Sequence, residues 1–546
     1  MFRRLLLLQV VVTAMLGFVG AAVAADHSNS LEVAAKVDAS LLAELPSDAA
    51  KPMQKIGDEE FLRRAFLDII GHIPSPEEVT AFTLNPASDK RAKTVEKLLA
   101  DERFGENWGR YYRDVIMYRK TEDRAEIVSG QLEDYLKKEF NTNASWAKVA
   151  TEMVTATGDG TENGACALII AQQGQPEEVV SEVSRIFLGV QIQCAQCHDH
   201  PTDRWKREQF HELAAFFPRT ASRLILTPDR RDISVVAQDT FMFRGRPGMA
   251  NRRFVGTAEH YMSDLKNPTD KGKLMTPVFF ATGDKLPLGT KDADRRGSLA
   301  KWMTEQENPY FAKAFVNRLW SELNGEGFYE PVDDIGPDRA CTAPKTLEYL
   351  AKEFGKTNYD IKWLFRTITA TSLYNAPSAP RRNPDQAPMQ NNVAQRLRGD
   401  QLFDNLLNAL GVSEPQPPGG MGARGGLYGR RFTPRGNFNT VFGYDPSERR
   451  DEVAGSIPQA LVFMNGANVN AGIRASGRTA LAKMMSQIKD DQALVTEIYL
   501  RVLAREPSGK EMSTCLAYVK KVDNRNEAFE DLQWSLINST EFLHRK

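Results

Sequence analysis

The sequence is short of several things, and each shortage excludes a class of protein. Only five cysteines occur in 546 residues. That is too few for a fold stapled by disulfides, so the chain must rest on an apolar core. Basic residues are not in excess, with Lys plus Arg at 70 against 71 acidic residues. This balance leaves no electrostatic footprint for nucleic acid or for an anionic membrane surface. Long apolar runs are missing after the first two dozen residues, which excludes a polytopic membrane protein. Glycine and proline, at 38 and 28 residues, are too sparse for a collagen-like chain, and a hydrophobic content of 42% excludes wholesale disorder. There is no G-x-S-x-G elbow, no phosphate-binding P-loop and no H-E-x-x-H. The residues select no reaction, and enzymatic activity stays open.

The one long apolar stretch stands at the start. Arg3 and Arg4 precede a run from Leu5 to Gly20, and Ala22-Val23-Ala24 supplies a small-x-small cleavage pattern. We read residues 1–24 as a signal peptide and the mature protein as periplasmic or secreted. The run is short for a membrane span and is interrupted by Gln9 and Thr13. No integral span is therefore expected once it is removed. Cleavage leaves 68 basic against 71 acidic residues.

Helical periodicity governs most of the remaining chain. Residues 25–55 read as a polar lead-in with a weak helical pattern. From Asp58, the residues Phe61, Leu62, Ala65, Phe66 and Ile69 mark one apolar face. Ser75-Pro76-Glu77-Glu78 is an N-terminal capping box with proline at the first helical position. Further helices are predicted over 89–100, 105–120, 130–140, 145–156, 176–190 and 207–217, with a loop over 157–165. Short β-favouring runs at 224–226, 233–236 and 277–281 mark a change of character over 220–290. Helical patterning returns near Arg295 and persists to the C-terminus, with a second capping box at Ser508 and Glu511. The fold class is mainly α: two helical domains, 56–219 and 291–546, joined by a small strand-containing linker or insert at 220–290. A Gly/Pro/Arg-rich stretch at 415–440, carrying Arg424, Arg430, Arg431 and Arg435, reads as a loop. Adjacent carboxylates such as Asp333-Asp334 and Asp490-Asp491 read as helix caps or solvated pairs.

One motif carries chemistry. Cys194-Ala195-Gln196-Cys197-His198 has the spacing of covalent haem c attachment, on a short segment joining two predicted helices. Two thiols separated by two residues can add to the two vinyl groups of one haem, and the adjacent imidazole supplies the proximal iron ligand. Export agrees, since such attachment takes place outside the cytoplasm. A sixth ligand could come from Met242, Met249, His211, His260 or Met262. Met249, in the loop-like R-P-G-M-A, is the preferred one for a Met/His iron, and an open sixth position is equally permitted. Three other readings stay open. The C-x-x-C could be a disulfide, the cluster Cys194, Cys197, His198 and His200 could hold zinc, or the histidines could be polar turn residues. Cys166, Cys341 and Cys515 are isolated, and spacing assigns no pairing among them.

The stretches FLRRAFLDIIGHIPSPEEVTAF, LADERFGENWGRYYRDV and FLGVQIQCAQCHDHPTDRWKREQFHELAAFF resemble the planctomycete cytochrome-like domain family, an exported domain of unknown function. RRGSLAKWMTEQENPYFAKAFVNRLW, YDIKWLFRTITATSLYNAPS, QALVFMN, YLRVLAREPSGKEM and WSLINSTEFL resemble its usual companion, the planctomycete-specific C-terminal domain, also of unknown function. The resemblance implies an exported, mostly helical protein, often encoded beside another exported protein, with the C-x-x-C-H motif on Cys194, Cys197 and His198. In CTAPKTLEYLA this chain departs from the family's Ser-His-Pro-Glu flavour, with Cys341 and Lys345 nearby. The expectation is a c-type haem protein passing single electrons to a protein partner. The alternative is an exported binding or scaffold protein whose C-x-x-C is a disulfide or metal site.

Overall fold

The computed structural model describes residues 29–46, 53–227, 229–239, 241–242, 255–256, 258–267, 269–381, 388–414, 433–453 and 455–546. Residues 1–24, read above as a signal peptide, lie outside them. Helices dominate, as the periodicity requires. No helix among the described residues is long and apolar enough to cross a membrane.

Local signals fix many helix ends. Ser75 accepts from the Glu78 amide while Glu78 reaches back to the Ser75 amide, and Pro76 opens the helix Pro76–Leu84. The same reciprocal box starts Gly509–Lys521 at Ser508 and Glu511. Asp490 caps Asp491–Leu503 by accepting from the Ala493 amide. The lead-in is more ordered than its polarity suggests. Residues 29–44 form a helix that buries Val33, Val37 and Leu41 at four-residue spacing. Glu44 near its end accepts from the Lys345 and Thr346 amides, capping the distant helix Pro344–Lys356.

The predicted strands at 220–290 are partly present. Thr220–Leu226 and Arg231–Ala237 pair antiparallel, with Ser222 opposite Val235, and Gly158–Asp159 adds a third short strand within the expected loop. Ile233 and Val235 point inward, the alternation of a half-buried strand. The run 277–281 makes only the isolated bridge Val278 to Lys285, because Pro277 removes a ladder donor. Within 415–440, residues 415–432 lie outside the described residues. The remainder differs from the predicted loop: Pro434–Phe442 is a helix capped by Thr433, with Phe438 and Phe442 buried. Burial of those two rings outweighs the glycine-rich composition around them.

The buried apolar residues fall into two clusters. The first runs from Val33 through Tyr374 and gathers the early helices together with Asp292–Thr304, Phe311–Asn324, Pro344–Lys356 and Ile361–Ala370. Aromatic contacts stitch it: Trp146 lies 4.6 Å from Phe315, and Phe104 lies 5.2 Å from Phe365. The second cluster takes Leu397 to Phe542, with Leu67 reaching in from the helix Asp58–Ile70 and Ile73 from the turn after it.

Candidate functional site around the C-x-x-C-H turn

The helix leading to the motif does not run to Val190 as its periodicity predicts. Pro176–Val183 continues as a π-turn over Ser184–Leu188, and Gly189 ends it at φ 65°. A side chain at Gly189 would also press on Ile335 and Ala314, and its carbonyl accepts from the Ile335 amide at 2.6 Å. Only glycine meets both demands.

The motif stands on a 3-10 turn, Ile192–Gln196. Three residues per turn eclipse positions i and i+3. Ile192 and Ala195 are accordingly buried together, while Cys194 and Cys197 are exposed together. His198 is exposed, with Nδ1 2.7 Å from the Asp199 carbonyl. A carbonyl can only accept, so that ring nitrogen carries the proton. In the neutral ring the lone pair is then on Nε2, which makes no hydrogen bond among the described residues. This is the tautomer a metal-ligating histidine uses, with its other N–H held by a carbonyl.

The loop beyond the motif is held at several points. Asp199 accepts from the Arg207 amide at 3.0 Å and from Lys206 Nζ at 2.9 Å, which starts the helix Arg207–Ala214. Both contacts keep its carboxyl below the usual range. The His200 amide donates to the Trp205 carbonyl, and Trp205 is buried against Phe280. Arg204 pairs with Asp338 at 2.6 Å, and Arg339 Nη2 donates to Thr202.

Beneath the turn lies a pair of buried histidines. His211 Nε2 is 3.0 Å from the Gln196 carbonyl, and His211 Nδ1 is 2.9 Å from His260 Nε2, with the rings stacked at 5.1 Å. Because the Gln196 carbonyl accepts, His211 carries its proton on Nε2 and takes a hydrogen bond from His260 at Nδ1. His260 Nδ1 is left bare, 3.9 Å from the Glu177 carboxylate. Burial pushes both imidazoles down to about 4. Arg207 Nε also donates to the Gln196 carbonyl at 3.1 Å, so both lone pairs of that oxygen are used.

Behind the turn sits a buried ion cluster. Asp333 is fully buried and accepts from Gln191 at 2.7 Å, from Arg185 at 3.2 Å, from Arg318 at 3.3 Å and from the Ser447 hydroxyl. Burial alone would raise this carboxyl, but Arg318 and Arg185 hold it down to about 2. The expected solvated pair at Asp333-Asp334 is thus corrected at its first member, because two guanidiniums take the place of water. Asp334 instead pairs with Arg339 at 3.0 Å.

Among the other predicted residues, Met249 lies outside the described residues. Met262 sits in the short strand Tyr261–Met262. His211 has both ring nitrogens engaged, and His260 keeps only Nδ1 unused, 3.9 Å from the Glu177 carboxylate. All five cysteines are free thiols. Cys166 is in the first core, whereas Cys515 is in the second, 3.8 Å from the Tyr499 hydroxyl. Among the described residues no three His, Cys, Asp or Glu side chains gather as a metal cluster.

Two stretches match family models. Residues 36–222 match PSCyt2, described as a protein of unknown function (DUF1549). Residues 295–424 match PSD1, described as a protein of unknown function (DUF1553). This is the paired layout of two unknown-function domains that the sequence resemblance implied, and the first match contains the C-x-x-C-H turn. No curated protein and no solved structure matches the chain.

Proposed function

We propose that the mature protein is an exported c-type haem protein that passes single electrons to a protein partner. Cys194 and Cys197 would hold the haem by thioether bonds, and His198 would be the proximal ligand. The observation that carries this reading is the donor set itself: two exposed thiols on one edge of a 3-10 turn, followed by an imidazole whose Nε2 is unengaged. Haem held there would supply a one-electron couple whose potential is set by its axial ligands. The chain's own part is to fix the turn. His211 and Arg207 hold the Gln196 carbonyl, and Asp199 ties the adjoining loop to the next helix.

Polar and charged side chains surround the motif. His198, Asp199, Arg204 and Lys206 are all exposed, which suits transient docking of a partner more than a closed reaction chamber. The planctomycete character of both sequence units, the signal peptide at 1–24 and a co-encoded exported partner belong to the same reading. So does Met249 as sixth ligand.

A second reading keeps the export but makes the C-x-x-C a disulfide or metal site on a binding or scaffold protein. What favours it is the chain's extent: the turn occupies a small part of two large cores.

The deciding experiment is a pyridine haemochrome spectrum of the mature chain co-expressed with a c-type maturation system. A c-type spectrum surviving acid–acetone extraction, and lost in Cys194→Ser/Cys197→Ser, is expected. A colourless protein from a host that matures control cytochromes would overturn the haem reading in favour of the second.

A further inference from the structure

A cavity of about 630 Å³, lined by none of the cysteine-turn residues, opens between two parts of the chain. One wall comes from the helices Arg103–Met117 and Ser129–Asn141, the other from residues 398–400 and from the helix Pro434–Phe442 with the turn after it. Its size falls within the range of about 300–1,000 Å³ typical of small-ligand sites.

The cations on its walls are already matched. Arg110 pairs with Glu106, Glu133 and Asp404, and Arg113 with Asp114 and Glu133. Lys120 pairs with Glu126, Arg398 with Asp400, and Arg435 with Asp404 and Glu414. Seven carboxylates face these five cations, so no cation is left over to capture an anion. What remains is unused hydrogen-bonding capacity. Arg435 Nη1, Asn439 Oδ1 and Tyr444 Oη are buried without partners, and each such atom is destabilising until it finds one. The first only donates, the second only accepts and the third does either. An anion could satisfy only the donors, and a cation only the acceptors. A hydroxyl satisfies both. Aromatic surface completes the lining: Phe442 and Tyr444 within, and Tyr118, 51% exposed, on the wall. Such rings present an apolar face and a polar tip, suited to a ring that is itself apolar on its faces and hydroxylated at its rim.

We propose that this cavity, between Tyr118 and Asn439, is a binding site for a neutral carbohydrate. It is a function separate from the cysteine turn and independent of haem.

The test uses the full mature chain and a panel of neutral tetrasaccharides: cello-, xylo-, manno-, laminari-, malto- and chitotetraose. Binding is read by titration calorimetry and saturation-transfer NMR. At least one should bind with 1:1 stoichiometry, and Tyr118→Ala should weaken it by about tenfold or more, equivalent to about 1.4 kcal/mol. Tyr118→Phe should retain it. Tyr118 is half exposed, so its truncation leaves the fold intact, and Asn439→Ala gives a second, independent loss. The proposal is overturned if no member of the panel binds or if both alanine variants bind like the parent.

Discussion

His211 donates its Nε2 proton to the main-chain carbonyl of Gln196, a residue flanked by both motif cysteines, over 3.0 Å. The contact links a helix that is apolar on its inner face to the backbone of the reactive turn. It also fixes the tautomer of His260, because His211 Nδ1 is then obliged to accept.

Truncation at this point should loosen the turn. His211→Ala removes one of two donors to the Gln196 carbonyl and leaves the His260 N–H buried without a partner. A loss of about 1–3 kcal/mol in unfolding free energy is expected. A several-fold faster reaction of Cys194 and Cys197 with a thiol reagent should accompany it in the haem-free protein. An unchanged thiol rate would mean that Arg207 alone holds the turn.

The same pair sets a pH dependence. Both imidazoles have folded values near 4 against an ordinary 6.5, so the unfolded chain binds more protons between those limits. Stability should therefore be intact above about pH 6.5 and fall as the pH drops toward 4. The slope is up to about 1.4 kcal/mol per pH unit for each histidine. Denaturant midpoints at pH 7, 6 and 5 measure it. In His211→Gln/His260→Leu the fall should flatten, although His72 and His544, also depressed by burial, keep a residual slope.

Asp333 offers a harsher test. In Asp333→Ala, Arg318 loses its carboxylate partner and Arg185 keeps only Glu182, in an interior where both guanidiniums are nearly inaccessible to water. Breaking a buried pair from one side costs about 3–5 kcal/mol. Chemical denaturation should show a loss of that order, or the variant should fail to accumulate. A loss under about 1 kcal/mol would show that water enters the cluster.

The loop after the motif has its own check at Gly336. A Cβ there would overlap Asp203 Oδ2, a carboxylate whose side chain is 1% exposed. Gly336→Ala should displace residues 199–205 without disturbing either core. Limited proteolysis should then cut near Arg204, while thermal stability changes by less than in Asp333→Ala. Unaltered protease resistance would show that Asp203 yields locally.

What the sequence made legible was whatever is decided within a few residues. The capping boxes at Ser75 and Ser508 need only their own first turns, and both form. The C-x-x-C-H was legible as a pattern, and its place between two helices came from periodicity on either side. The π-turn over Ser184–Leu188 was not, because it answers to Gly189 meeting Ile335 across 146 positions of chain. Nor was the His211–His260 pair, separated by 49 residues, since a lone histidine carries no sign of its partner. The helix at 29–44 showed only as a weak helical pattern, because polar residues cover the face turned outward. Asp333 looked like a solvated turn residue because its partners, Arg185, Arg318 and Ser447, are spread over three distant segments.

The first hydrophobic core has an evolutionary consequence. It draws side chains from both matched stretches, with Trp146 on one seated against Phe315 on the other. A gene broken between positions 222 and 295 would yield two products, each exposing half of a shared interior. Recombination that shuffled either half onto a foreign neighbour would have to bring a replacement for that missing half. Two families joined in this way are expected to be inherited as a couple, whatever chemistry the turn at Cys194 performs.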